Sequence, residues 1–495
     1  MSLHATLSPE TLQLLHEQKR NSTITSVIIA ILSVLLLGIG LTLYFLPAIK
    51  NIPSDVVVHH SPNDPNPKDP PPTMQRLFSQ RPPSSANQVV PSIVAMAQNT
   101  INLPVLETPA DIVGLAAGTG GDGDGLGPGD GDGVFIPGDP DIPNIQRCSK
   151  DERMNLLKQY GGKPETEDVV VRSLRWLKQT QNSDGSWGDQ HKAGMTGLAL
   201  LAYLGHCETP DSEEFGDSCL QAIVYLLNIG SQNNGRLATN TRDKHWPYEH
   251  AIATYALAEA YSFSKRSNYT IPQHPEVLKL AGEWIITHQH GSGGWDYQYD
   301  ISGKRGGDLS IAAWHIQALK ACDATGLGFD GIKSTIKAAL NYVSARQAAN
   351  GGFGYTGTSP VGGAGHHSLT GAGLLAYQMW GKGSRSEVRK GARYILDKAE
   401  LDYNGPECDL YAHYYHSQAM IQRGGDQWKQ YNQRFSDQIL LNQADDGSWK
   451  KPGGGSKPRA VAANYANDSK EGIHYRTCLC TLMLEVYYRY LPGTH

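Results

Sequence analysis

The sequence predicts an all-α fold, a closed double ring of six outer and six inner helices that follows one transmembrane helix and a flexible linker. Three observations support this prediction. A helix-turn motif recurs along the C-terminal part of the chain, a second helical stretch follows each copy, and an uncharged apolar run lies near the N-terminus. Repeated helix pairs bury their apolar faces against their neighbours, and closing the ring leaves no apolar end exposed.

The apolar run covers residues 24–46 and contains no charged side chain. About 20 such residues cross the hydrocarbon core of a bilayer as a helix, and the run is too long for the core of a signal peptide. Lys19 and Arg20 precede it, whereas Lys50 alone follows it closely. This bias predicts a short cytoplasmic N-terminus, residues 1–23, and an extracytoplasmic (periplasmic) C-terminal part. The lipid bilayer is therefore an expected partner of residues 24–46.

Residues 47–147 are rich in Pro, Gly and Asp and are predicted to be a flexible linker, because such a segment buries too little apolar surface to offset the entropy of ordering. Its repeated Asp residues lack the spacing of an EF-hand or of a calcium-binding β-helix repeat, which disfavours a calcium site. The rest of the chain, residues 148–495, is predicted to be the folded domain. The net charge of −5 provides no basic surface for nucleic acid.

The repeated motif is an aromatic or polar residue and an aliphatic residue, then Gln, Gly and an aromatic residue at fixed spacing. Gln can bond backbone groups at the end of a helix, and Gly permits a left-handed turn. Four copies align without gaps: Trp176-Leu177 with Gln181, Gly185 and Trp187; Trp284-Ile285 with Gln289, Gly293 and Trp295; Tyr342-Val343 with Gln347, Gly351 and Phe353; Gln438-Ile439 with Gln443, Gly447 and Trp449.

Two degenerate copies lie between these four. Tyr225-Leu226 and Tyr394-Ile395 keep the helical part, but Gly230 and Ala399 occupy the Gln position. A second helical stretch, rich in Ala, Leu and Gly on more than one face, follows each copy, as expected of an inner helix that packs on several sides. These stretches cover residues 195–205, 249–263, 308–325, 367–381, 411–423 and 474–491.

The motif resembles the prenyltransferase and squalene-oxidase repeat, the QW motif, over residues 165–491. The resemblance implies the terpenoid cyclase-like (α/α)6 toroid, which squalene and hopene cyclases share with protein prenyltransferase β-subunits. The anchor, the linker and the ending VYYRYLP are similar to uncharacterised membrane-anchored bacterial members of planctomycete type. Several chemistries share this fold, so the repeat predicts architecture and not activity.

The catalytic signatures of the superfamily are absent or altered. The DxDD acid of squalene-type cyclases does not occur, and neither does the thioester segment GCGEQ. The segment YRTCLC resembles the YHTCYC of protein prenyltransferases, but Arg476 stands at the position of the zinc-binding His. Alignment of Gln418 likewise places Tyr411 and His413 at the positions of the Asp and Cys ligands. The resemblance therefore does not carry over the zinc site.

Polar side chains at the starts of the inner helices are expected to line the mouth of the ring. The catalytic candidates are His413, His474, Glu249 and Asp308. The candidates for a ligand-binding cavity are Tyr248, His250, His315, His367, Tyr411, His416 and Arg476. No metal is predicted; the alternative is a zinc ion on Cys408, Asp409, His413 and His474. The sequence identifies no cofactor.

Seven cysteines include no CxxC pair, which disfavours a structural zinc site. Cys207 and Cys219 bracket a polar loop and are expected to form a disulfide if the domain is exported.

Two hypotheses of function follow from the sequence. The favoured one is a membrane-anchored module that binds a hydrophobic or polar ligand, or a partner, in the ring. The alternative is an enzyme whose His, Tyr and acidic residues act on an isoprenoid, lipid-linked or carbohydrate substrate.

Overall fold

The computed structural model describes residues 147–265, 269–356, 367–406, 408–453 and 467–489. The predicted N-terminus 1–23, the span 24–46 and residues 47–146 of the linker lie outside the described residues. Within the described part of the chain, no helix is both long and apolar enough to cross a membrane.

The described residues form the predicted double ring of helices. The outer helices are α2 (Glu165–Thr180), α4 (Gly216–Gln232), α6 (His274–Thr287), α8 (Ile332–Ser344), α10 (Ser386–Lys398) and α12 (Gly425–Leu440). The inner helices are α3 (Lys192–Gly205), α5 (Trp246–Ser264), α7 (Leu309–Ala324), α9 (Thr370–Gln378), α11 (Leu410–Arg423) and α13 (Lys470–Leu484). Helix α1 (Lys150–Tyr160) precedes the ring, and the short α14 (Val486–Arg489) follows it.

Contacts between the helices close the inner ring. Each inner helix packs against the next one along the chain, and α13 packs against α3. Burial separates the two layers: α3 buries nearly all of its residues, whereas α10 buries only one face, around Val388, Ala392 and Ile395. An inner helix has neighbours on all sides, so its sequence is apolar all round, and an outer helix keeps one polar face in water. The all-α toroid predicted from the repeat is confirmed.

The Gln of each complete motif joins two consecutive outer helices. In the second copy, the side-chain amide of Gln289 donates to the carbonyl oxygen of Gly293 in its own turn, at 2.8 Å, and to that of Thr335 in α8, at 2.9 Å. In the last copy, Gln443 donates to Gly447 at 3.1 Å and to Val169 of α2 at 2.8 Å. This last bond connects α12 to α2, and therefore the end of the outer ring to its beginning.

The aromatic residue of the motif packs under the turn and bonds the helix before it. The indole nitrogen of Trp295 donates to the carbonyl oxygen of Ile285 at 2.9 Å, and Trp187 and Trp449 repeat this bond with Leu177 and Ile439 at 2.8 Å. Each indole therefore satisfies a carbonyl group near the end of an outer helix, where no intrahelical partner follows.

The prediction of a disulfide between Cys207 and Cys219 is wrong. Cys207 is bonded to Cys148, across 59 residues of sequence, and Cys219 is a buried free thiol. The reason is geometric: Cys219 lies in the first turn of α4 with its side chain fully buried in the core, whereas Cys207 follows the end of α3. The sequence showed the polar loop between the two cysteines, but it did not show that the segment before α1 brings Cys148 next to Cys207.

Four buried charged side chains lie where α3, α5 and α14 end. Glu259 accepts from Arg147 at 2.9 Å and from Arg489 at 2.6 Å, and all three are at most 1% exposed. Arg489 also donates to the carbonyl oxygen of Leu201 at 2.8 Å. Burial raises the pKa of the fourth member, Glu485, well above its usual range. The segment that begins at Arg147 therefore covers this end of the ring.

Candidate functional site

A cavity of about 270 Å³ lies among the N-terminal ends of the inner helices, remote from the buried charges just described. Its walls come mainly from the first turns of α3, α5, α7, α11 and α13. The lining residues are His191, Gly194, Met195, Leu198, His245, Tyr248, Glu249, Ile252, Tyr297, Ser310, Trp314, Tyr411 and Tyr475. Since the inner helices run parallel, their first turns meet at one face of the ring, and residues far apart in sequence share this cavity.

The walls are mostly aromatic and aliphatic. The Trp and Tyr rings of Tyr248, Tyr297, Trp314, Tyr411 and Tyr475 line the cavity together with Met195, Leu198 and Ile252. Ser310 fixes two of the tyrosines: its hydroxyl lies 2.6 Å from that of Tyr248, and its carbonyl oxygen accepts from the Tyr411 hydroxyl at 3.2 Å. Their phenol groups are therefore held by the protein.

The charged group in the wall is Glu249, which is 3% exposed. One of its carboxylate oxygens accepts from Nδ1 of His191 at 2.9 Å. The other, Oε2, is buried and has no hydrogen-bond partner. A buried acceptor without a partner costs about 1–3 kcal/mol relative to a satisfied one. Glu249 therefore contributes its His191-bonded carboxylate to the wall of a cavity that is otherwise largely apolar, while Oε2 is enclosed by the protein.

His191 precedes α3 and lies at the mouth, with its side chain 33% exposed. Its φ of +50° is in the left-handed region, which is uncommon for a residue other than glycine. The carboxylate of Glu471 anchors the preceding turn by accepting from the backbone nitrogen of Asp189 at 2.9 Å. The hydrogen bond to Glu249 raises the pKa of His191 above its ordinary value.

A second polar chain runs behind Tyr248. The hydroxyl of Ser310 bonds both the Tyr248 hydroxyl and the carboxylate of Asp308, which also caps α7 by accepting from the backbone nitrogen of Ser310 at 2.9 Å. Burial raises the pKa of Asp308, although Arg305 forms an ion pair with it. Asp308 thus lies one side chain away from the cavity and reaches it through Ser310.

Three of the residues predicted from sequence, Glu249, Tyr248 and Tyr411, line the cavity. His250 and His315 lie deeper and have partners inside the fold. His250 accepts from the backbone nitrogen of Leu237 at 2.9 Å and donates to the carbonyl oxygen of Ala281 at 3.1 Å. His315 contacts the carbonyl oxygen of Ile311 at 2.8 Å and the Tyr299 hydroxyl at 2.7 Å. Both are fully buried.

His367, His413 and His416 form a separate histidine cluster, with ring centroids 5.1 to 5.8 Å apart. Nδ1 of His413 lies 2.8 Å from the Tyr431 hydroxyl, and Nε2 of His416 lies 3.3 Å from the carbonyl oxygen of His367. Burial lowers the pKa of His413 to about 3, so this imidazole is neutral at physiological pH. The structure therefore brings these three predicted residues together, but away from the cavity.

His474 and Arg476 contact neighbouring loops and helices. Nε2 of His474 bonds the carbonyl oxygen of Met195 at 2.8 Å, which ties α13 to α3. Arg476 donates to the carbonyl oxygen of Trp449 at 2.7 Å, at the aromatic position of the last motif. The first contact joins the last inner helix to the first, and the second holds the last motif against α13.

The zinc alternative finds no support in the described residues. Asp409 caps α11 by accepting from the backbone nitrogen of Ala412 at 2.9 Å, while His413 and His474 bond different partners. Across the described ranges, no group of three or more His, Cys, Asp or Glu side chains is arranged to hold a metal ion.

Sequence reasoning missed His191, Tyr297, Trp314 and Tyr475. Two of them had a local signal that was not used: His191 lies just before an inner helix, and Tyr475 lies next to His474. Tyr297 belongs to a short 3₁₀ turn, Tyr297–Tyr299, between α6 and α7, where no helical period indicates which side chains face inward.

No protein-family model matches the chain, and neither does any curated protein. Solved structures similar to it include the type II terpene cyclase MstE from Scytonema. A variant of MstE in complex with geranylgeranyl dihydroxybenzoate has 12% identity and a TM-score of 0.43, over 69% of this chain and 99% of that one. The apo enzyme has 13% identity and a TM-score of 0.41, over 66% and 98%. A protein from Actinoplanes has 14% identity and a TM-score of 0.42, over 66% and 99%.

Proposed function

We propose that the ring is a ligand-binding module whose cavity takes a small molecule with an apolar body and one hydrogen-bond donor. The observation that carries this proposal is the hydrogen-bonded pair of His191 and Glu249 in a wall that is otherwise largely aromatic and aliphatic. Ligand sites commonly combine apolar walls with a few fixed polar groups. A donor on the ligand would bond this pair, and the rings would cover the rest of the ligand.

The volume limits the size of this ligand. Drug-sized ligands occupy pockets of roughly 300–1,000 Å³, and the cavity of about 270 Å³ lies just below that range. A long polyprenyl chain therefore exceeds this space, whereas a body of the size of one six-membered ring fits. The ligand class follows from the size and the polarity of the walls.

Binding to the full chain can be tested with two probes of the same shape, cyclohexylmethanol and methylcyclohexane. We expect the alcohol to bind about 5- to 10-fold more tightly, because its hydroxyl gains a hydrogen bond worth about 1 kcal/mol or slightly more. Saturation-transfer NMR with a competition titration measures both affinities.

Two methionine variants give a matched control for this test. Met195 lines the cavity and Met154 lies on α1, and both are partly buried. Met195→Trp fills the mouth of the cavity and should weaken binding of the alcohol at least about 10-fold, whereas Met154→Trp should leave it unchanged. Equal binding to the two variants, or no binding of either probe to the unmodified chain, contradicts the proposal.

An enzyme that acts on an isoprenoid, lipid-linked or carbohydrate substrate is the second candidate. The His191–Glu249 pair favours it, since a histidine whose proton is held by a carboxylate is a common general acid or base. Catalysis is distinguished from binding alone if the full chain converts a bound molecule to product and if both Glu249→Gln and His191→Asn lose this conversion.

We further infer that residues 24–46 anchor the module in the bilayer and that the ring lies on the extracytoplasmic side. The Cys148–Cys207 disulfide supports this location, because disulfides persist in oxidising compartments and are rare in the cytosol.

We expect both Cys148 and Cys207 to resist alkylation in freshly lysed cells until a reductant is added. The five cysteines that are free in the structure are buried, so denaturation before alkylation exposes them as an internal reference. Alkylation of Cys148 and Cys207 without reductant would place the ring in the cytosol.

A further inference from the structure

The Cys148–Cys207 disulfide lies at the end of the ring away from the cavity, because Cys207 follows the end of α3 and the cavity lies at the start of that helix. Cys148 is exposed, and Cys207 is half-buried. The other five cysteines are buried free thiols. A reductant in solution therefore reaches this bond, which is the disulfide that the described residues contain.

The residues that directly precede the two cysteines are Arg147 and His206, and both side chains are at most 3% exposed. Arg147 donates to a carboxylate oxygen of Glu259 at 2.9 Å, and Nε2 of His206 lies 3.2 Å from a carboxylate oxygen of Glu167. Each half of the disulfide is therefore adjacent in sequence to one member of a buried polar network. The covalent bond keeps the two chain segments together at that place.

Arg153 of α1 connects the two networks. Its guanidinium donates to Glu167 at 2.7 Å and to the carbonyl oxygen of Arg147 at 2.6 Å. Arg147 also bonds Glu259, and its guanidinium carbon lies 5.1 Å from the centroid of the Phe263 ring. Its Nε and Nη1 atoms have no hydrogen-bond partner. A charge taken out of water needs nearly complete pairing to stay buried, so these contacts alone hold Arg147 weakly.

Arg147 is one of two arginines that serve the buried carboxyl groups of Glu259 and Glu485. Arg489 is the other: it bonds Glu259 at 2.6 Å and lies 3.7 Å from a carboxylate oxygen of Glu485. If Arg147 leaves, one cation remains in contact with two buried acidic groups. Removing one partner from a buried ion pair is strongly destabilising because it leaves an uncompensated charge. Water therefore has to enter this end of the ring when Arg147 leaves.

We propose that the Cys148–Cys207 disulfide is a redox-sensitive latch, whose reduction by a dithiol releases the segment 147–148 and opens the end of the ring over Glu259. The two cysteines gain two electrons and two protons and become thiols, and the dithiol loses the same and becomes a disulfide. Release follows because the segment then depends on the incomplete contacts of a single buried arginine. The cavity at the other end of the ring takes no part in this step.

Hydrogen–deuterium exchange of the full chain before and after treatment with dithiothreitol tests the latch. The backbone nitrogen of Cys207 bonds the carbonyl oxygen of Leu204 at 3.0 Å, and that of Arg489 bonds Glu485 at 2.9 Å. We expect both amides to exchange at least about 10-fold faster after reduction, because the loop loses its covalent restraint and this end of the ring opens locally. Helix α8, which contributes none of these charges, should keep its exchange rates. Unchanged rates at Cys207 and Arg489, or an equal rise in α8, would overturn the proposal.

Two variants separate the role of the arginine from that of the bond. Arg147→Met keeps the apolar stem and removes the charge, so it should exchange rapidly at Arg489 without any reductant. Arg175→Met is the matched control, because Arg175 pairs with Glu214 at 2.7 Å and is 53% exposed on its side chain; it should leave exchange unchanged. Cys148→Ser should behave as the reduced chain does and should not respond to dithiothreitol. Slow exchange at Arg489 in Cys148→Ser contradicts the latch even if Arg147→Met fails to fold.

Discussion

Acidification from pH 7 to about 5.5 should destabilise the ring severely and unfold it cooperatively. Five fully buried histidines have pKa values that burial lowers to about 3 or 4 in the folded state: His250, His274, His315, His413 and His474. The hydrogen bonds of His250 require the neutral ring, because Nδ1 accepts from the backbone nitrogen of Leu237 and cannot do so once it carries a proton.

The sign of the effect follows from proton uptake. The unfolded chain binds protons on these histidines near pH 6.5, whereas the folded chain does not bind them until about pH 3 to 4. Their contribution to stability is complete above pH 6.5 and is lost as the pH falls below it. One pH unit below 6.5, each histidine costs about 1.4 kcal/mol, so the five together cost about 7 kcal/mol. That is comparable with the whole free energy of unfolding of a typical domain, about 5–15 kcal/mol.

Other groups reduce this loss only in part. His206 is buried, which by itself lowers its pKa, but its hydrogen bonds to Glu167 and Glu208 raise the pKa overall. It therefore stabilises the fold as the pH falls through its folded-state pKa.

Urea unfolding at intervals between pH 7 and 5.5 measures the balance. The slope of the free energy of unfolding against pH should correspond to the uptake of about four protons on unfolding. His245 is 45% exposed on its side chain, so His245→Asn is the control and should keep the same slope. A free energy of unfolding that stays constant over this range contradicts the assignment of neutral, buried histidines.

Substituting Ala for Gly293 should lower the free energy of unfolding by about 2–5 kcal/mol. Its φ of +94° lies in the region that L residues rarely adopt, which costs roughly 1–2 kcal/mol. A Cβ atom would also overlap the carbonyl group of Ala338 in α8, and overpacking of this kind costs about 1–3 kcal/mol. The same contact recurs in the last motif, between Gly447 and the carbonyl group of Arg172 in α2.

Gly291 provides the matched control two residues away. A Cβ atom there meets nothing within 4 Å, and its φ is outside the left-handed region. Gly291→Ala should therefore change the free energy of unfolding by less than about 0.5 kcal/mol. Urea unfolding of both variants makes the comparison. Equal stabilities would mean that the motif glycine does not set the approach of consecutive outer helices.

The fold was largely predictable because its repeat is local. Gln289, Gly293 and Trp295 lie within seven positions of one another, and their hydrogen bonds to the preceding helix and turn depend on that spacing. The second bond of Gln289, to Thr335 in α8, was not predictable from the motif alone. It depends on the distance between two outer helices, which packing sets.

The site was predictable only in part, because residue type at an inner-helix start does not determine the direction of a side chain. Tyr248, Glu249 and His250 are consecutive, yet the first two line the cavity and the third bonds Leu237 and Ala281 in the core. Successive residues on a helix point about 100° apart. A helix with neighbours on every side gives no polar face from which the direction could be read.

The sequence by itself determined the ring of helix pairs, since the spacing of Gln, Gly and the aromatic residue is a local property that recurs along the chain. Only the tertiary structure decided which polar residues meet. The packing of neighbouring repeats brings His191 of one repeat against Glu249 of the next and leaves the three clustered histidines elsewhere. It also pairs Cys207 with Cys148 instead of Cys219. These contacts join residues 49 to 59 positions apart, and their geometry depends on how whole helices pack and not on any local pattern.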